Sequence, residues 1–436
     1  MRIKQKVDID DLEEFKSQLI SWGQDFDCCL WLDSNRYDSA YTNYEGIMAI
    51  GNQTSISTVY SGGFEALSDF RRKSRDWIFG YLSYDMKNDI EELSSDNHDG
   101  LRFQDLFFFQ PKKIIFVSKN KAVFSYLPAY ASELQDDINA IQKGISSTGN
   151  AHVPVKISMR MTKDEYFARL DDILKHIHRG DIYEMNFCQE FYADNTKIDP
   201  LQTYNRLNAI SNAPFAAFMR LGQQYIMSAS PERYLQKIAN HVISQPIKGT
   251  APRSKNQAED NLLRHSLKTD IKERSENIMI VDLVRNDLAK TAVKGSVNVE
   301  ELCEIYTFDQ VHQMISTVTS EINADTDAVD IIKSTFPMGS MTGAPKISAM
   351  NLIEKYEKTR RGVYSGAIGY FEPNGNFDLS VVIRTILYNA RNAYVSFSVG
   401  GAITAKSKPI KEYEECLIKA KAMRMVLEGS LPDSQR

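Results

Sequence analysis

Cysteine is scarce in this sequence: Cys28, Cys29, Cys188, Cys303 and Cys416 are the five among 436 residues, with no CxxC pair and no zinc-ligand spacing. That excludes a disulfide framework and a zinc module and predicts buried free thiols. None of the five has the glycine-flanked setting of a glutaminase nucleophile. Long apolar runs are also missing, the longest being too short to span a bilayer, and Met1-Arg2-Ile3-Lys4-Gln5-Lys6-Val7-Asp8 lacks the apolar stretch of a signal peptide. A cytoplasmic protein without membrane association is therefore expected. Charge of one sign is not concentrated either. Charged residues make up 25%, the formal net charge is −5, and no basic run or stripe offers a surface to nucleic acid. The glycine-rich segment 337–346 places its glycines and Lys346 at a spacing that does not fit GxxxxGK[ST], which removes a phosphate-binding loop.

What is present is a chain long enough for one large or two moderate domains, with 42% hydrophobic residues to fill a core. Asp10 or Asp11 caps a helix carried by Leu12, Phe15, Leu19 and Ile20, stopped by Gly23. Strand-like runs follow at 28–32, 47–50, 77–84, 106–109, 113–117 and 122–126, then a helix at 133–143. The small, polar residues 145–152 read as a linker and divide the chain into an N-terminal part, 1–150, and a second domain, 151–436. Thr162 and Glu165 form a capping box for a helix ending at Gly180. Residues 181–192 then alternate, Tyr183, Met185, Phe187 and Phe191 on one face and Glu184, Asn186, Cys188 and Glu190 on the other. Further strands are predicted at 215–220, 225–229, 234–238, 242–245, 309–321, 367–371, 377–387 and 394–404. Helices are predicted at 258–288 with a break near Thr269-Asp270, at 328–334, at 347–356 and at 407–428. So many hairpins predict an α/β (α+β) fold of two largely antiparallel sheets flanked by helices rather than a doubly wound parallel sheet.

The most unusual stretch is Gln245-Pro246-Ile247-Lys248-Gly249-Thr250-Ala251-Pro252-Arg253. Pro246 and Gly249 predict that the backbone leaves its sheet abruptly in a turn and fixes the lysine between them. An amine acts as a nucleophile when neutral, so a catalytic Lys248 requires a lowered pKa; a solvated surface lysine is the plainer alternative. Two helical segments carry paired carboxylates, Glu273 with Glu276 and Glu412 with Glu415. Residues three apart share a helix face, so facing helices can offer oxygens to Mg2+, while a solvated charged face explains the same spacing.

The ordered motifs Ser230-Pro231-Glu232, Pro246-Ile247-Lys248-Gly249-Thr250, Lys272-Glu273-x-x-Glu276-Asn277 with Asp282-Leu283-Val284-Arg285-Asn286-Asp287, residues 339–346 and Glu412-Tyr413-Glu414-Glu415 resemble those of the chorismate-utilising enzymes, over about 155–425. Residues 29–34 and 80–85 resemble the family's N-terminal region. The resemblance implies a two-sheet sandwich, like that of anthranilate synthase component I, with the active site between the sheets. It implies Mg2+ on Glu276 and Glu415, assisted by Glu273 and Glu412, holding the ring carboxylate of chorismate. Tyr364 and Arg384 match positions gripping the enolpyruvyl carboxylate; Thr250, Ser340, Gly400, Gly401, Ala402 and Lys419 match other substrate contacts, and His312 a histidine near the C4 hydroxyl. Lysine at 248 is similar to the aminodeoxychorismate synthase branch, which forms 4-amino-4-deoxychorismate on the way to 4-aminobenzoate and folate, whereas anthranilate synthases carry alanine. Lys248 at C2 of the substrate would direct nitrogen to C4, with Glu232 relaying protons and His312 assisting. Glu184 stands where isochorismate synthases carry a water-activating lysine. Met338, Ala402 and Lys406 depart from the family's pattern. The implied nitrogen source is ammonia from a separate glutamine amidotransferase subunit in a heterodimer. Anthranilate synthase component I and a catalytically silent chorismate-binding subunit are the alternatives, and a tryptophan site near Ser34 is a further feature of relatives.

Overall fold

Alternation along the strands assigns each residue to one of two cores. In Cys28–Asp33, Cys28 and Leu30 enter one apolar cluster while Cys29 and Trp31 enter another. In Gly46–Thr58, Ile47 and Ala49 divide from Met48 and Ile50 in the same way. This is the period-two consequence of a pleated strand buried on both faces. The computed structural model describes residues 1–37, 41, 44–144, 153–309 and 311–429.

The strand ladders are antiparallel and form one continuous network with two arms. One arm runs through Glu184–Ala193, Tyr394–Thr404, Thr385–Asn389, Gln224–Ser230, Phe215–Leu221, Cys28–Asp33 and Gly46–Thr58. The other runs through Ile78–Leu82, Ala367–Phe371, Phe377–Val381, Arg233–Ile238, His241–Ser244 and Val311–Glu321, edged by Ile247–Pro252 and Asn298–Thr307. Leu106–Ser118 pairs with both Gly46–Thr58 and Ile78–Leu82 and joins the arms. One core contains Leu30 and Met219 from the first arm and Tyr81 and Leu379 from the second, so the expected two layers are two arms closed over a shared interior. The first arm's other face is covered by the helices Leu12–Gly23, Lys163–Arg179, Pro200–Ser211 and Pro409–Glu428. Among the described residues no helix is long and apolar enough to cross a membrane.

Local signals act as read. Asp11 accepts hydrogen bonds from the first turn of its helix, and both halves of the Thr162–Glu165 capping box form. Asp270 ends the helix Gln257–Thr269 and caps Ile271–Ala289 by accepting from the Glu273 N–H. Other expectations require correction. Residues 106–109 and 113–117 lie in one strand, because the register shifts between Asn52 and Thr54 opposite Pro111 and absorbs the missing donor. The run 377–387 is broken into Phe377–Val381 and Thr385–Asn389, with Arg384 at φ +52° between them. Tyr183 precedes its strand and is exposed rather than joining Met185 and Phe187 in the core. The helix Pro200–Ser211 and the strand Asn298–Thr307 were not predicted. The linker 145–152 lies outside the described residues, and strands from either side of it pair with each other.

Candidate active site

The Lys248 segment stays in the sheet instead of leaving it. Ile247–Pro252 pairs with Val311–Glu321, but the register shifts between Ile247 and Thr250, with Gly249 at φ +93°. The resulting bulge turns Lys248 into a cavity of about 550 Å³ between the arms. Asn186 and residues 398–402 line it from the first arm; Lys248, Gly249, Thr250 and Gln313 line it from the second. Ser340 comes from the 3-10 turn Gly339–Met341, Tyr364 and Arg384 from loops, and Lys272, Glu273, Glu276, Glu415 and Lys419 from the two acidic helices. Gly400 permits this approach, since a Cβ there would meet Cys188 Sγ at 2.3 Å.

The two helices do face one another. Lys272 Nζ lies between them, 3.6 Å from Glu276 Oε1 and 3.8 Å from Glu412 Oε1. A Cβ at Gly401 would lie 3.5 Å from Glu415 Oε1 and 3.7 Å from Glu412 Oε2. Burial pushes the Glu276 carboxyl up to about 7 and also raises Glu273 and Glu412. Burial acts on Glu415 too, but Lys419, 2.6 Å away, together with Lys272 and Lys248, outweighs it and holds Glu415 low. Oxygen donors of this kind suit Mg2+, and the buried Glu276 Oε1 has no hydrogen-bond partner among the described residues. The donor chemistry thus fits the ion, although among the described residues no three acidic, histidine or cysteine side chains are gathered about one point.

Lys248 is half-buried in the cavity wall, its Nζ donating to Glu184 Oε1 at 3.0 Å. Burial acts to lower its pKa, but Glu184 and Glu276 prevail and raise it above the usual value. The expected neutral amine is therefore corrected: the surrounding carboxylates keep it charged, and one of them must take its proton before it can attack. Glu232, 4% exposed, accepts from Ser340 Oγ at 2.6 Å. Burial raises its carboxyl to about 7, against the opposing effects of Ser340 and Lys248, leaving it able to hold or release a proton near neutrality.

That shift has a consequence for stability. Between the ordinary value of 4.5 and about 7 the native state holds a proton that the unfolded chain releases, so the contribution is complete below the first value and lost as pH rises through the second. Glu232→Gln is expected to raise the unfolding free energy at pH 8 by roughly 1–3 kcal/mol, and by much less at pH 4.5, in denaturant titrations at the two pH values.

The Arg384 side chain lines the cavity without a hydrogen bond or ion pair among the described residues; burial pulls its guanidinium below the usual value against Tyr364 and Glu415. Tyr364 is buried beside it, its hydroxyl 3.6 Å from Cys188 Sγ. Lys419 Nζ donates to the Gly400 carbonyl at 2.9 Å. His312 is not brought into the cavity. Its neighbours Val311 and Gln313 line it, so the intervening side chain points away, with Nε2 3.0 Å from Asp260 Oδ1 and Nδ1 2.9 Å from Thr307 Oγ1. Sequence reasoning did not find Glu184 as the partner of Lys248, although the polar face 184–190 was its signal, nor Asn186, Lys272 and Gln313 as lining residues.

Comparison with known proteins gives the chain's family and its structural relatives. The family profile described as chorismate binding enzyme matches residues 27–425. An aminodeoxychorismate synthase from Streptomyces griseus is 42% identical over 282 residues, 64% of this chain and 38% of that protein. Aminodeoxychorismate synthase component 1 from Escherichia coli (strain K12) is 40% identical over 268 residues, 62% of this chain and 58% of that protein. The matches thus span well under two thirds of either relative's length. The crystal structure of anthranilate synthase component I from Streptococcus pneumoniae TIGR4 superposes with a TM-score of 0.78 at 25% identity, covering 89% of this chain and 93% of that one.

Proposed function

This chain belongs to the chorismate binding enzymes, and from that membership we propose that it aminates chorismate at C4, giving 4-amino-4-deoxychorismate for 4-aminobenzoate and folate synthesis in the cytoplasm. The observation that carries the reading is Lys248, held in the cavity by Glu184 within reach of the field of Glu232 and Glu276. The two relatives named aminodeoxychorismate synthase support it.

Lys248 gives one proton to a neighbouring carboxylate, and the freed lone pair bonds to C2. The two ring double bonds shift and the C4–O bond breaks, the hydroxyl leaving as water with a proton from Glu232. Ammonia then bonds at C4, the double bonds shift back and the C2–N bond breaks; the proton shed by ammonia restores the Glu232 carboxyl, and the first carboxylate returns its proton to the freed Lys248 amine. The sum is chorismate and ammonia giving 4-amino-4-deoxychorismate and water. Lys248 occupies the competing carbon throughout, which excludes C2 amination. Arg384 and Tyr364 receive the enolpyruvyl carboxylate, and Thr250, Ser340, Lys419 and the backbone at 400–402 border the ring. Mg2+ on Glu276 and Glu415, beside Glu273 and Glu412, would supply positive charge for the ring carboxylate. Chelation with EDTA is expected to remove at least about 90% of product formation, and excess Mg2+ to restore it, in a chromatographic assay.

The ammonia comes from a separate glutamine amidotransferase subunit. All five cysteines are buried, and burial raises the thiols of Cys29 and Cys188 to about 12 and Cys416 to about 11, the opposite of an activated nucleophile. The decisive experiment incubates the purified chain with chorismate, Mg2+ and ammonium chloride. 4-Amino-4-deoxychorismate is the expected product; anthranilate, or unchanged chorismate, would overturn the assignment.

A further inference from the structure

A lysine side chain has four rotatable bonds, and an untethered amine beside a cavity of about 550 Å³ would sample many rotamers. Lys248 is instead anchored, its Nζ 3.0 Å from Glu184 Oε1. The anchor is itself fixed: residue 184 pairs with Thr404 on one edge and Ala344 on the other. Glu184 is 1% exposed, and its Oε2 has no hydrogen-bond partner among the described residues, so the carboxylate has no other described group to hold. It stands behind the amine, since Lys248 and Asn186 line the cavity and Glu184 does not.

Resting on the C4-amination reading, we propose that Glu184 is the positioning residue that keeps the Lys248 amine over C2 of the substrate and thereby sets where nitrogen enters. The tether leaves two of the three ammonium N–H bonds free and fixes the direction in which the lone pair points after deprotonation. Without it, the amine swings away from the ring and ammonia gains access to C2. Such a displacement of about 1 Å costs up to roughly 100-fold in rate even when every reacting group is present. Glu184 does not line the cavity that receives the substrate; its one side-chain contact among the described residues is the Lys248 amine, and it acts through that amine.

The test compares wild type with Glu184→Ala, Glu184→Asp and Glu184→Gln, using chorismate, Mg2+ and ammonium chloride and separating the isobaric 2-amino and 4-amino products by chromatography. Glu184→Ala is expected to lower kcat for the 4-amino product by about 30- to 100-fold, leave KM for chorismate within about threefold, and release the 2-amino isomer. Glu184→Asp keeps the charge but withdraws the oxygens by one methylene and should do the same to a lesser degree, deciding the matter if the alanine variant fails to fold. Glu184→Gln still presents an acceptor oxygen and should recover the C4 selectivity. Wild-type rate and purity of the 4-amino product in both Glu184→Ala and Glu184→Asp would overturn the positioning role alone. Wild-type protein making only anthranilate would overturn the functional reading and this role with it.

Discussion

Lys248→Ala is expected to lower formation of 4-amino-4-deoxychorismate by about 10²- to 10⁴-fold, the range for losing one group that acts directly in the transition state. The variant should bind chorismate nearly as before, because Arg384, Tyr364 and the carboxylates of the two facing helices are untouched. With C2 no longer covered, ammonia reaches it, so the 2-amino isomer is the expected residual product. Quantifying both isomers from chorismate, Mg2+ and ammonium checks the point, and normal output of the 4-amino product would show that no lysine adduct forms. A stability effect should accompany the change: Glu184, 1% exposed, loses its only hydrogen-bond donor among the described residues, leaving a buried carboxylate without a partner.

Arg361→Ala is expected to lower the unfolding free energy by about 3–5 kcal/mol, the cost of removing one member of a buried ion pair. Arg361 and Glu357 are both buried and joined by two hydrogen bonds of 2.9 and 2.7 Å. The guanidinium also donates to the carbonyls of Met341 at 2.7 Å and Asn186 at 2.9 Å and lies 4.5 Å from the Tyr84 ring centroid. Glu357 in turn accepts from the Cys188 N–H at 2.9 Å. Removing the arginine strands a carboxylate and two carbonyls in the interior, and Met341 and Asn186 both line the cavity, so turnover should fall along with stability. Urea denaturation of Arg361→Ala beside the double variant Arg361→Leu, Glu357→Leu measures the effect. The double variant should be the more stable of the two, because it leaves no unpaired charge behind. A loss below about 1 kcal/mol for Arg361→Ala would mean that the pair carries little of the expected weight.

The features legible in the sequence are those governed by a few neighbouring residues. The helix break near Thr269-Asp270 was readable, and Asp270 makes it while capping the next helix, because its side chain reaches the Glu273 N–H only three residues on. The spacing of Glu273 with Glu276, and of Glu412 with Glu415, determines that each pair projects from one side of its helix. Motif order was enough to bring Lys248, Glu232 and the substrate-contact positions to notice together. Tertiary structure decided the rest, because it depends on pairings between distant segments. The register shift at Ile247–Thr250 turned an expected exit from the sheet into a bulge within it. The same strand's partner carries His312 on the face opposite Val311 and Gln313, which no motif records. Glu184 and Lys248, 64 residues apart, meet because one lies on each arm of the folded network. Their contact fixes both the direction and the charge of the amine, since a lysine's protonation depends on what the fold places beside it rather than on its neighbours in the chain.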